Sequence, residues 1–162
     1  MKVAIISDVH DNVWNLERVL AAVSRDGAQV LIMCGDFCAP FTLRQIATSF
    51  AGPVHAVFGN NDGDRWLLSR VAAEAGCLAL YGDYAELQLD GAKVFVCHYQ
   101  DVGRHIAASG RFQAVFYGHS HVAELTQGPS LALNPGEVMG RFGKVTYGLY
   151  DTAANEGSIC EL

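Results

Sequence analysis

No cysteine pair at C-x-x-C spacing, no stripe of lysine or arginine, and no apolar run near the roughly 20 residues needed to span a bilayer occurs in this sequence. Each gap closes off a class of protein. The five cysteines (Cys34, Cys38, Cys77, Cys97, Cys160) are odd in number, which speaks against a disulfide framework or a thiolate zinc site and for reduced, packed thiols. Basic residues number 11 against 17 acidic ones, for a formal charge of -6, so a nucleic-acid polymer is not an expected partner. A small phosphorylated substrate fits only if a bound divalent cation reverses the sign of an acidic pocket. Met1 to Ile6 leads straight into an extended segment rather than a cleavable signal, so a cytoplasmic chain with no membrane partner is expected.

What is present is a core. Of 162 residues, 51% are hydrophobic, enough for one domain over 1–162. Val3 to Ile6 is a continuous apolar run ending in Ser7-Asp8, followed by apolar residues at helical spacing from Val13 to Val23. The unit recurs at Val30 to Cys34, with a helix near Leu43 to Phe50, and at Val54 to Phe58, with a helix from Arg65 to Ala75. Strands alternating with helices imply βαβ crossovers and a mainly parallel sheet buried on both faces. After Gly76, Tyr84 to Leu89 and Lys93 to Cys97 flank Asp90-Gly91, a hairpin turn signal. A helix at Arg104 to Ala108 and a strand at Ala114 to Tyr117 follow, then short strands at Ala123 to Gln127, Leu131 to Leu133, Lys144 to Tyr150 and Ser158 to Glu161.

In open α/β sheets ligands bind beyond the carboxyl ends of the strands. Asp8 and His10 follow the first run, Asp36 the second, Asn60, Asn61 and Asp62 the third, His98 the second hairpin strand, and His119 and His121 the strand ending at Tyr117. Carboxylate, imidazole and amide oxygen suit Mn, Fe, Zn, Co or Ni. Seven donors exceed what one tetrahedral ion uses, whereas two ions about 3.5–4 Å apart with one bridging carboxylate would use them all. Gly35, Gly59 and Gly118 each precede a proposed ligand, and sharp turns there are expected to aim the next side chain inward. His119 and His121 would face the same way on a regular strand. Asn12 is expected to cap the first helix, and Asn60 or Asp62 the third. Asp62 has a second reading, a carboxylate that orients ligands. His55 and His105 fall inside a strand and a helix and are read as structural. For Trp14 and Tyr99, packing is preferred to stacking on an aromatic leaving group.

Asp8-Val9-His10, Gly35-Asp36, Gly59-Asn60-Asn61-Asp62, His98 and Gly118-His119-Ser120-His121, with Asn134-Pro135-Gly136, together resemble the calcineurin-like metallophosphoesterase superfamily in its small single-domain phosphodiesterase branch. The resemblance implies a four-layer αββα sandwich of two mixed β-sheets flanked by helices. It implies two divalent metal ions, manganese first, one on Asp8, His10 and His121, the other on Asn60, His98 and His119, with Asp36 between them. Asp36, Asn60, Asn61, Asp62 and His98 would carry catalysis, and a metal-bound hydroxide would hydrolyse small phosphodiesters or activated phosphate esters. The alternative is a protein-interaction scaffold of the same fold, like a subunit of retromer. Three departures stand out. Asn61 replaces a frequent His and has no titratable proton for a leaving group. Tyr99 and Glu137 replace a frequent Gly and Ser, and are expected to bear on substrate shape more than on metal binding.

Overall fold

The computed structural model describes residues 1–162. The first half forms the predicted alternation: β1 (Lys2–Ile6), α1 (Val13–Arg25), β2 (Val30–Met33), α2 (Pro40–Ser49), β3 (Val54–Ala56), α3 (Arg65–Ala75) and β4 (Leu78–Leu80). The second half adds β5 (Tyr84–Leu89), β6 (Ala92–Cys97), α4 (Gln100–Ala108), β7 (Ala114–Phe116), β8 (Glu124–Gln127), β9 (Leu131–Asn134), β10 (Thr146–Asp151) and β11 (Glu156–Glu161).

One sheet has the order β11-β10-β1-β2-β3-β4, the other β5-β6-β7-β9-β8. β1 to β4 are parallel, as the crossovers require, while β10 and β11 join antiparallel at one side. In the second sheet β6, β7 and β9 run parallel between antiparallel β5 and β8. Both sheets are therefore mixed.

The period-2 alternation of side chains along a strand explains the layering. Ala4 and Ile6 of β1 pack with Leu16, Val19 and Leu20 of α1, and the same cluster takes in Leu43 of α2 and Leu68 of α3. Val3 and Ile5 point the other way, into a cluster with Val94 and Val96 of β6, Phe116 of β7 and Leu133 of β9. Behind the second sheet, α4 supplies Ala107 against Phe95, Val115 and Tyr117. The layers are helices, sheet, sheet, helix.

Local chemistry places the element boundaries. Asn12 caps α1 by accepting from the Asn15 amide at 3.1 Å. α3 is capped by Asp64, which accepts from the Leu67 amide at 2.9 Å, and not by Asn60 or Asp62. α2 opens three residues before Leu43 because Pro40 is well suited to a first helical turn. Asp90 and Gly91 both have positive φ, 48° and 88°, the two-residue turn whose twist suits a hairpin. No helix is long and apolar enough to cross a membrane.

Candidate metal centre

All the proposed ligands lie just past strand ends, and the two sheets bring them to one place. Asp8 and His10 follow β1, Asp36 follows β2, Asn60 follows β3, His98 follows β6, and His119 and His121 follow β7. On one side, His121 Nε2 lies 3.4 Å and His10 Nε2 3.8 Å from Asp8 Oδ1, with the two imidazole rings stacked 5.0 Å apart. On the other, His98 Nε2 lies 2.9 Å from Asn60 Oδ1 and 3.2 Å from His119 Nδ1. Between the groups, one atom, Asp36 Oδ2, is 3.4 Å from His10 Nε2 and 3.4 Å from His98 Nε2.

The backbone that aims these side chains differs from the glycine-turn expectation. Of Gly35, Gly59 and Gly118 only Gly35 has positive φ. The left-handed backbone instead falls on the proposed ligands themselves: Asp8 at 53°, His10 at 45°, Asp36 at 57°, His119 at 71° and His121 at 62°. His119 and His121 thus reach the site from an irregular loop, not by alternation along a strand. Such φ values are uncommon for residues with a Cβ and concentrate at functional sites. Gly59 and Gly118 are needed for close approach: a Cβ on Gly59 would strike Asp36 Oδ1, and one on Gly118 would strike Ser7 Oγ and lie 2.6 Å from Asp8 Oδ2.

Hydrogen bonds fix each ring and carboxylate. A carbonyl can only accept, so the 2.8 Å contact of His98 Nδ1 with Cys34 O puts the proton on Nδ1 and turns the bare Nε2 toward Asp36 and Asn60. Asp36 Oδ1 accepts the Asn61 amide at 2.7 Å and Oδ2 the Asn61 side-chain amide at 2.8 Å. Buried Asp62 accepts from the backbone N–H of Gly59 (2.6 Å), Cys38 (2.7 Å) and Asp36 (3.0 Å), tying the loops after β2 and β3 together. Asn134 donates to Gly118 O and Ser120 Oγ at 2.9 and 3.0 Å, bracing the histidine loop from beneath.

Glu137 touches a proposed ligand directly, in addition to the bearing on substrate shape expected of it. It is wholly buried, its Oε2 accepts from His121 Nδ1–H at 2.7 Å, and its Oε1 accepts from the Phe142 and Gly143 amides at 2.7 and 2.8 Å. A carboxylate behind an imidazole sets the tautomer and raises the basicity of the exposed nitrogen. The sequence signal was a lone carboxylate in the otherwise uncharged stretch from Leu131 to Met139. The Cys38 Sγ lies 3.7 Å from His10 Nδ1, but burial and the nearby carboxylates push it up to about 12, so it stays neutral.

Charge in the cluster is unbalanced in a way a cation would correct. The bare Nε2 lone pairs of His98 and His121 face carboxylates and an amide oxygen, and Asp8 Oδ1 and His10 Nε2 are buried without a hydrogen-bond partner. Separations of 3.4–3.8 Å are too long for hydrogen bonds. The three of 3.4 Å suit donors sharing one ion, since bonds of about 2.0–2.2 Å place neighbouring ligands roughly 3–3.5 Å apart. Protonation is the other response. The Asp8 carboxylate beside it raises His10 above the usual imidazole range against an opposing burial effect. Burial lowers His98, but Asp36 outweighs it and the net shift is upward. Burial likewise pushes Asp36 up, yet His98 and Asn61 hold it well below the ordinary carboxylate range. His55, bonded to the Tyr81 hydroxyl at 2.9 Å, and His105, on the Asp101 carbonyl at 2.6 Å, take no part.

Comparison with known proteins gives a consistent picture. Residues 1–155 match the calcineurin-like phosphoesterase superfamily domain. The phosphodiesterase MJ0936 of Methanocaldococcus jannaschii is 31% identical over 96% of this chain and 96% of its own length. The phosphodiesterase YfcE of Escherichia coli is 27% identical over 98% and 95%. The solved structure of an archaeal phosphodiesterase superposes with a TM-score of 0.91 at 29% identity, covering 100% of both chains.

Proposed function

Because the chain belongs to the calcineurin-like phosphoesterase superfamily, we propose that it is a metal-dependent phosphodiesterase built on a dinuclear centre, a single domain acting on small phosphodiesters or activated phosphate esters. The observation that carries this reading is Asp36 Oδ2, placed equally, at 3.4 Å, from His10 and His98. Asp8, His10 and His121 would hold one divalent ion, Asn60, His98 and His119 the other, and Asp36 would touch both. The oxygen and imidazole donors suit manganese, with iron, zinc, nickel or cobalt as alternatives. When bound, such ions supply Lewis acidity, lowering the pKa of water and neutralising charge that develops on phosphorus oxygens.

The chain's own residues do the positioning. Asn61 grips both oxygens of Asp36 and so sets the plane of the proposed bridge. Asp62 holds the loops of Asp36 and Asn60 in register, and Glu137 locks His121. Asn61 offers no titratable proton to a departing oxygen, which favours esters whose leaving group is already stable as an anion. The names of the two curated relatives support the diester over the monoester.

A scaffold of the same fold is disfavoured because every one of the seven positions holds a competent donor. Five free thiols and the acidic charge fit a cytoplasmic protein that does not bind nucleic-acid polymers. The Mn²⁺-loaded protein should hydrolyse bis(4-nitrophenyl) phosphate faster than 4-nitrophenyl phosphate, and EDTA should abolish both reactions. Unchanged turnover in EDTA would contradict the metal dependence, and no turnover with Mn²⁺ would leave the scaffold as the better reading.

A further inference from the structure

Beside His121 lies a cavity of about 300 Å³ whose walls include Val122, Ala123, Phe142 and Lys144. Phe142 and Val122 are 70% and 65% exposed. The Phe142 ring stands edge-on to the His121 ring, with centroids 5.2 Å apart and planes at 85°. The backbone that carries it is held: Glu137 binds the Phe142 and Gly143 amides with one carboxylate oxygen and His121 with the other. One buried group therefore sets both the proposed metal ligand and the aromatic wall next to it. Cations stand alongside. Lys144 lines the cavity, paired with Glu161 at 2.7 Å, and the Arg141 guanidinium lies 5.4 Å from the centre of the Phe142 ring.

Resting on the phosphodiesterase reading, we propose that this cavity is the seat for an ester group of the substrate, and that the group it takes is a planar aromatic one. Phosphorus held at the centre that includes His121 places its substituent against the cavity that His121 shares with Phe142. Val122, Ala123 and Phe142 make one side of the lining apolar, the side against which a flat substituent would lie, while Ser120, Lys144 and Thr146 line the rest. A flat ring packs on Phe142 in the offset or edge-to-face arrangements that aromatic pairs prefer. The carboxylate of Glu137 preorganises this contact, because the segment bearing Phe142 cannot shift without releasing two amide hydrogen bonds.

Phenylphosphonate and methylphosphonate test the inference, since they share a metal-binding head and differ only in the ring. In titration calorimetry of the Mn²⁺-loaded protein, phenylphosphonate should bind roughly fivefold to tenfold more tightly than methylphosphonate. Phe142→Ala should bring that ratio close to one, and Phe142→Tyr should keep it. A ratio near one in the wild type, or one that survives Phe142→Ala, overturns the aromatic seat while leaving phosphodiesterase activity standing. Failure to bind either phosphonate, together with no hydrolysis of bis(4-nitrophenyl) phosphate, overturns the underlying reading instead.

Discussion

Glu137 shows how much one buried carboxylate can decide. Its Oε2 fixes the His121 tautomer and its Oε1 anchors the Phe142–Gly143 turn. Glu137→Gln keeps the size and removes the charge, so the imidazole becomes less basic while its surroundings stay packed. Losing such a partner usually weakens metal binding about 10–100-fold, and here only one of the two ions should be affected. Mn²⁺ calorimetry on the variant should resolve one weakened and one unchanged site; two unchanged sites would show that Glu137 is only structural. The role of Glu137 was not read beforehand, because the resemblance set it down only as a departure from a frequent Ser and the His121 contact spans 16 residues. The convergence of the proposed ligands was legible, since each follows an apolar run read as a strand. Their left-handed backbones were not, because φ at Asp or His depends on contacts made only after folding.

At the scale of elements, the site depends on loops held by buried polar side chains more than on the strands themselves. Asn134, at the end of β9, donates to Gly118 O and Ser120 Oγ and accepts from the Gly136 amide at 3.0 Å. Asn134→Ala leaves buried backbone groups without partners, at a cost of about 2–4 kcal/mol. Urea denaturation should register that loss, and the affinity for Mn²⁺ should fall with it because His119 and His121 lie on the released loop. A stability within about 0.5 kcal/mol of wild type, the usual range for a surface change, would mean that the loop is held elsewhere. Elements with strong local signals matched the sequence reading: α3 over Arg65–Ala75 and β5 over Tyr84–Leu89 run as expected. The misses have physical causes. β4 is a three-residue strand, too short to show a period, and it forms because β3 offers a parallel partner. α4 begins at Gln100, four residues early, and its first turn has no side-chain cap, with Asp101 as its start signal.

Across the whole molecule, two sheets converge on a cluster of acids and imidazoles that needs positive charge, from protons or from ions. In metal-free protein His10 and His98 have raised pKa values. The stability they contribute is complete below the unfolded value of about 6.5 and is lost as pH rises through their folded values. Asp36, held low, contributes stability that is present above about 3.9 and lost only when pH falls through its folded value. Metal-free stability should therefore decline from pH 6 toward pH 8. Divalent ions compete with those same protons, so their binding strengthens over that interval. The difference in Tm between samples in Mn²⁺ and in EDTA should widen between pH 6 and pH 8 in thermal scans, and a difference that stays flat or narrows would contradict the proposed ligand set. The mixed order of the two sheets was legible only through the family resemblance, since strand periodicity alone does not say that β10 returns beside β1.

The claim on which everything else rests is that Asp36 joins two ions. Anomalous diffraction from crystals soaked in Mn²⁺ reads it directly. Two peaks about 3.5–4 Å apart are expected, one among Asp8, His10 and His121, the other among Asn60, His98 and His119, both within bonding distance of Asp36, and both weakened or gone in Asp36→Ala. A single peak, or two peaks that persist in Asp36→Ala at full strength, would contradict it.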